Sequence, residues 1–159
     1  MICCLFLHKM GCLLHVRPEN VNPDRHIITD QLYNHIVIIM AWKVEYTDEF
    51  GEWWDSLNES EQDDTAATVG LLEEKGPSLP FPYSSGIEGS RHNHMRELRI
   101  QHVGNLYRVL YAFDPRRTAI LLLGGNKSGD DRWYEEYVPI ADKLYDEHLE
   151  TLKREGLIP

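Results

Sequence analysis

The sequence predicts a small single-domain α+β fold in the order β–α–α–β–β–β–α, with an antiparallel sheet. Three observations carry that expectation. The chain has 159 residues, room for one sizeable core. Two adjacent segments, 48–57 and 58–75, place apolar residues at helical spacing. Three apolar runs then follow within 95–123, separated by short turn signals. Elements grouped by type, rather than strands and helices in strict alternation, indicate α+β.

Each element has its own justification. Trp42-Lys43-Val44-Glu45-Tyr46 alternates and is rich in aromatic residues, which suits a strand. From Asp48 to Leu57, the residues Phe50, Trp53, Trp54 and Leu57 recur at helical spacing. Asn58, with Glu61 three residues on, forms a capping-box start. The helix behind it runs through Ala66, Val69, Leu71 and Leu72 and stops at Gly76-Pro77. These two helices read as a hairpin. Residues 76–94 hold Pro77, Pro80, Pro82, Gly86 and Gly89 and read as a loop. Met95–Gln101, Leu106–Phe113 and Thr118–Leu123 read as strands. Gly104-Asn105, Asp114-Pro115 and Gly124-Gly125 end them, which implies an antiparallel meander. Pro139 opens the last helix, as proline does at a first helical position. Ile140, Leu144, His148 and Leu152 follow at steps of four before Gly156.

Composition bounds the function. With 42% apolar and 26% charged residues, the chain is not a wholly disordered one. No run approaches the ~18 apolar residues of a membrane span. The formal charge of −10 argues against a non-specific nucleic-acid binder. That average hides a pattern. Residues 40–90 carry two basic and twelve acidic groups, whereas 91–132 carry eight basic and four acidic, with His92, His94 and His102 besides. A basic strip therefore lies inside an acidic chain, and locally focused charge makes an anion site despite the overall sign.

Residues 1–39 differ in character. They hold Cys3, Cys4 and Cys12 and four of the eight histidines, with no sustained period before Ile36-Val37-Ile38-Ile39. They lack the basic start and small-residue cleavage site of a secretory signal. We read 1–39 as an N-terminal extension, disordered or mis-started, and 40–159 as the folded domain; a real extension packed on that domain is the alternative. Cys4, His8, Cys12 and His15 are spaced like zinc ligands, but no hairpin or helix frames them, so chance spacing is preferred. Three clustered cysteines are too few for a disulfide framework, which points to a reduced, cytoplasmic protein.

The meander carries the chemistry. Alternation puts Leu98 and Ile100 on a core face and turns Glu97, Arg99 and Gln101 the other way. On the next strand Tyr107, Val109, Tyr111 and Phe113 share one face, and Arg108, Leu110 and Ala112 the other. With Arg108 on the side of Glu97 and Arg99, one carboxylate meets two guanidiniums. Lys127 leaves the third strand, and Tyr134 lies seven residues on, at the edge of the same face if the loop folds back. Such a set suits phosphodiester cleavage by an internal 2′-hydroxyl, which needs a base, cations for developing phosphate charge and an acid, but no metal. Arginine is the better cation because it binds phosphate bidentately and stays charged. A solvated sheet face with ion pairs is the bland alternative from spacing alone.

Arg96-Glu97-Leu98-Arg99, Tyr107-Arg108-Val109-Leu110-Tyr111-Ala112-Phe113, Gly124-Gly125-Asn126-Lys127-Ser128-Gly129-Asp130 and the helix from Pro139 resemble the RelE/ParE toxin superfamily. The likeness is to its HigB-like, phage Gp49-related branch and covers about residues 40–155. The resemblance implies a ribosome-dependent mRNA endonuclease, the toxin of a type II toxin–antitoxin pair, acting by metal-free 2′-hydroxyl attack with no cofactor. It places Arg108 on the transition-state arginine, Lys127 on the basic residue after the glycines and Tyr134 on a late aromatic with a stacking or acid role. Arg99 falls on a basic strand position, and Glu97 on the glutamate base of one branch. Arg96, His94 and Arg132 are the expected RNA contacts. A helix-turn-helix antitoxin, the ribosome and mRNA are the implied partners, with no membrane. A non-catalytic ParE-like gyrase inhibitor and a degenerate phage-derived binding module are the alternatives.

Other features have plainer readings. His92-Asn93-His94 lies in a loop without a nuclease motif's flanks. Asn126-Lys127-Ser128 lacks the earlier glycine of a phosphate-binding P-loop. Trp53 and Trp54 read as two aromatics at a core edge; the alternative is one in the core and one against a partner or the extension. His148 reads as a satisfied core histidine, and Glu59–Asp64 as a solvated helix start.

Overall fold

A computed structural model describes residues 41–159. The expectations for 1–39, including the cysteine–histidine spacing, lie outside the described residues. The described chain is a small α+β domain, as the sequence predicts. Its elements are β1 (Val44–Tyr46), α1 (Asp48–Ser56), α2 (Glu59–Lys75), a 3-10 turn (Gly76–Ser78), β2 (Ser84–Gly86), β3 (Arg96–His102), β4 (Asn105–Phe113), β5 (Ala119–Asn126) and α3 (Trp133–Arg154).

The five strands are ordered β1-β5-β4-β3-β2. β3, β4 and β5 form the expected antiparallel meander, with Arg99 opposite Arg108 and Arg108 opposite Gly125. Two features go beyond expectation. β1 pairs with β5 in parallel, so the sheet is mixed at that edge. The α1–α2 hairpin carries the chain from β1 across to β2 at the opposite edge, and the meander β3–β5 then returns it beside β1. The loop predicted over 76–94 contains β2, which pairs antiparallel with β3 through Ser84↔Leu98. The β3–β4 turn is tight: Val103 (φ 42°) and Gly104 (φ 86°) are both left-handed, as a two-residue type I′ hairpin demands.

Both sheet faces are covered. Gly124 and Gly125 are neighbours, so a Cβ on each would point to opposite faces. A Cβ on Gly124 would meet the Trp53 ring of α1 at 2.1 Å, and one on Gly125 would meet Trp133 Nε1 of α3 at 2.9 Å. The glycine pair lets two indoles clasp β5 from either side. The register then sorts the rest. Leu98 and Val109 share the Gly124 side, where Phe50, Trp54, Val69 and Leu72 of the helical hairpin are buried. Arg99 and Arg108 share the Gly125 side, under α3, where Leu110, Ala112, Val138, Ala141 and Tyr145 form an apolar cluster.

The helices follow local rules. Thr47 caps α1, its hydroxyl accepting from the Phe50 N–H. Asn58 and Glu61 form the expected capping box on α2. The buried stripe of α2 is Thr65, Thr68, Val69 and Leu72; both threonine hydroxyls donate to the carbonyl one turn back, which hides their polarity. The last helix departs from expectation. It begins at Trp133, so Pro139 lies inside it rather than at its start. Burial of Trp133 and Val138 holds the early turns in place and outweighs the hydrogen bond that proline removes. Its inward stripe is also rotated, with Ala141 and Tyr145 buried and Ile140 47% exposed.

Candidate active site

The predicted cations and the carboxylate meet on the α3 side of the sheet. Glu97 on β3 faces α3, and the alternation that points it away from Leu98 does not expose it. It is only 2% exposed, because α3 and the sheet close over it. The solvated sheet face, the bland alternative from spacing, therefore holds for Gln101 at the end of the strand but not for Glu97, which is covered.

Four groups converge on the Glu97 carboxylate. Ser85 Oγ donates to Oε1 at 2.8 Å, and Arg99 Nη1 donates to the same oxygen at 3.1 Å. The Tyr134 hydroxyl donates to Oε2 at 2.5 Å. Arg108 Nε lies 3.4 Å from Oε2 as an ion pair, without the alignment of a hydrogen bond. Arg108 is 4% exposed, and its Nη1 donates to the Tyr107 carbonyl at 2.8 Å. Lys127, just beyond β5, sets its Nζ 5.2 Å from the centroid of the Tyr134 ring. Two guanidiniums therefore flank one carboxylate, with the Lys127 ammonium against the ring of the tyrosine that caps it, and the site is cationic overall. Burial first, then the hydrogen bond to Glu97, pushes the Tyr134 phenol above its ordinary value; Arg108 opposes this in part. The phenol therefore stays protonated through the neutral range and keeps its hydrogen bond to Glu97.

The three residues expected to touch RNA lie elsewhere. Arg96 is on the opposite pleat, where its Nε donates to Ser84 Oγ and Tyr111 Oη. His94 sits against Tyr145 Oη at 3.1 Å, eleven residues along α3 from Tyr134, or about 16 Å of helix. Arg132 precedes α3 in solvent, 3.4 Å from Glu135. His148 pairs with Asp114 at 3.1 Å, so it is the satisfied histidine expected. The acidic start of α2 does more than face solvent: Glu61 accepts from Tyr107 Oη at 2.7 Å, and Asp64 bonds His102 Nδ1 at 2.7 Å.

The sequence pattern of the phage-derived protein Gp49-like family (DUF891) matches residues 52–146, which hold every member of this cluster. The chain belongs to the Gp49-like family. Two relatives place it in the HigB-like branch. It is 38% identical over 112 residues to "Putative toxin HigB2" of Mycobacterium tuberculosis (strain ATCC 25618 / H37Rv), covering 69% of this chain and 55% of that protein. It is 42% identical over 92 residues to "Putative toxin HigB3" of the same organism, covering 57% of this chain and 79% of that one. This Gp49-like chain thus spans about half the length of HigB2.

Sequence reasoning missed one member of the Gp49-like cluster. Ser85 sits on β2, and Ser84-Ser85-Gly86 carries none of the β-branched or aromatic residues that betray a strand. The double glycine was legible, but as a turn; its packing role needed the two indoles in view.

Proposed function

We propose that this protein is the toxin of a type II toxin–antitoxin pair and cleaves mRNA on the ribosome by metal-free 2′-hydroxyl attack. The observation that supports this most is the Tyr134 phenol donating to Glu97 beside two arginines. In this reading Arg108 and Arg99 hold the scissile phosphate bidentately. The 2′-oxygen attacks phosphorus while its proton passes to Glu97, directly or through the Tyr134 hydroxyl. The bond to the 5′-oxygen breaks, and Lys127 protonates that oxygen, leaving a 2′,3′-cyclic phosphate and a 5′-hydroxyl. Arg96, His94 and Arg132 remain candidates for outer RNA contacts, and the neutralising partner is a helix-turn-helix antitoxin. The relatives' names support the toxin assignment; the catalytic roles rest on the geometry and chemistry above.

The test is primer extension on a reporter mRNA after brief induction of the full chain. Codon-phased cuts in translated RNA are expected, lost by a factor of about 10² or more in Arg108→Lys and Lys127→Ala. Circular dichroism of both variants separates lost chemistry from lost fold. Intact RNA with arrested growth and DNA damage would replace this reading with gyrase inhibition. Intact RNA with normal growth would leave a binding module.

A further inference from the structure

A groove of about 470 Å³ opens beside α2, beyond the point where β2 stops pairing with β3. That size falls within the roughly 300–1,000 Å³ of small-molecule sites. Phe81 and Tyr83 form one wall, and Asp64 and Thr68 of α2 form the other. Arg99 and Arg108 also line it, so the groove adjoins the Glu97 cluster.

Two observations point to a ligand. Phe81 is 70% exposed and Tyr83 45% exposed, although aromatic rings this close to a core ordinarily bury themselves. Arg99 bridges the two regions: its guanidinium carbon lies 5.2 Å from the Phe81 ring centroid, while its Nη1 holds Glu97 at 3.1 Å. The Arg99 guanidinium lies over one face of the Phe81 ring, and the exposed remainder of that ring offers a flat group in the groove a surface on which any nucleobase stacks. Charge sets the direction. Asp64 on the α2 wall repels a phosphate and accepts from a base amino group, whereas Arg99 and Arg108 attract the phosphate.

We propose that this groove is a base-stacking subsite for single-stranded RNA. Phe81 stacks on the base of the nucleotide whose phosphate Arg99 and Arg108 hold. The subsite rests on the reading of Arg108 as the phosphate-holding group. Stacking tolerates any base, so the groove supplies affinity more than sequence choice.

The test measures fluorescence anisotropy of a fluorescein-labelled, mixed-sequence single-stranded RNA hexamer with the full chain at low salt. Phe81→Ala is expected to weaken binding about 5- to 150-fold, the span for losing one base–aromatic stack. Phe81→Trp, which restores a stacking ring, is expected to stay within roughly twofold of wild type. Phe81 is exposed, so both variants are expected to keep the wild-type thermal midpoint. Equal binding by wild type and Phe81→Ala overturns the subsite, as does equal loss in Phe81→Ala and Phe81→Trp, or no binding by wild type. Binding that follows the expected order without cleavage of translated mRNA overturns the nuclease and leaves the subsite standing. Cleavage by wild type with no binding change in Phe81→Ala overturns the subsite and leaves the nuclease.

Discussion

At the scale of single residues, Glu97 is the most consequential side chain in the cluster. Among the described residues, its carboxylate is the one acidic group in an ion pair with Arg108, whose side chain is 5% exposed, and with Arg99, whose side chain is 31% exposed. Removing one partner of a buried ion pair strands the other charge. Glu97→Ala is therefore expected to lower unfolding free energy by about 3–5 kcal/mol, measured by urea denaturation. Arg99→Ala is expected to cost no more than about 1 kcal/mol, because water reaches that guanidinium. Equal losses in the two variants would show that the carboxylate is not held as the distances indicate. The charged triad was legible from the alternation of β3 and β4, since period two needs only the sequence. Its burial was not, because whether a pleat faces water depends on α3, forty residues further along. Tyr134 could be named but not oriented, since its reach to Glu97 depends on where the last helix begins.

At the scale of elements, β5 is fixed by what its glycines leave out. Gly124→Ala would drive a methyl into the Trp53 ring, and the expected loss lies at or above the top of the ~1–3 kcal/mol range for overpacking. Gly70, inside α2, makes the contrast: a methyl there would meet nothing within 4 Å. Gly70→Ala is expected to stabilise by about 0.5–1 kcal/mol through helix propensity. Thermal unfolding of both variants checks the pair; like signs would refute the packing account. Element boundaries show where sequence logic holds. The α2 capping box was readable because its two residues act locally. Pro139 misled because the rule for proline at a helix start is local, while the burial of Trp133 and Val138 is tertiary. β2 was unreadable because its stability comes from pairing with β3 rather than from its own residues.

At the scale of the whole molecule, one source of acid sensitivity lies where α3 meets the β4–β5 turn. Asp114 is buried there between His148 and Arg116. Burial pushes its carboxyl up, but hydrogen bonds from His148, Arg116 and the Thr118 N–H outweigh that and hold it below its ordinary 3.8. A lowered folded value means the stability it contributes is complete above about pH 4 and fades as pH falls through the folded value. Asp114→Asn is expected to flatten this acid limb, so that stability at pH 7 and pH 3 differs less than in wild type by urea titration. An unchanged limb would assign acid unfolding to other carboxylates. The occluded Glu97–Arg108 pair has a consequence for the resting protein. An arginine 4% exposed and paired with Glu97 offers a phosphate little surface until that carboxylate shifts aside. Apparent affinity then scales with the open fraction, so a site open one time in a hundred loses about a hundredfold. Under the proposed nuclease reading this is built-in latency: any binder that prefers the closed form would silence the site by mass action, from a surface that never touches the cations.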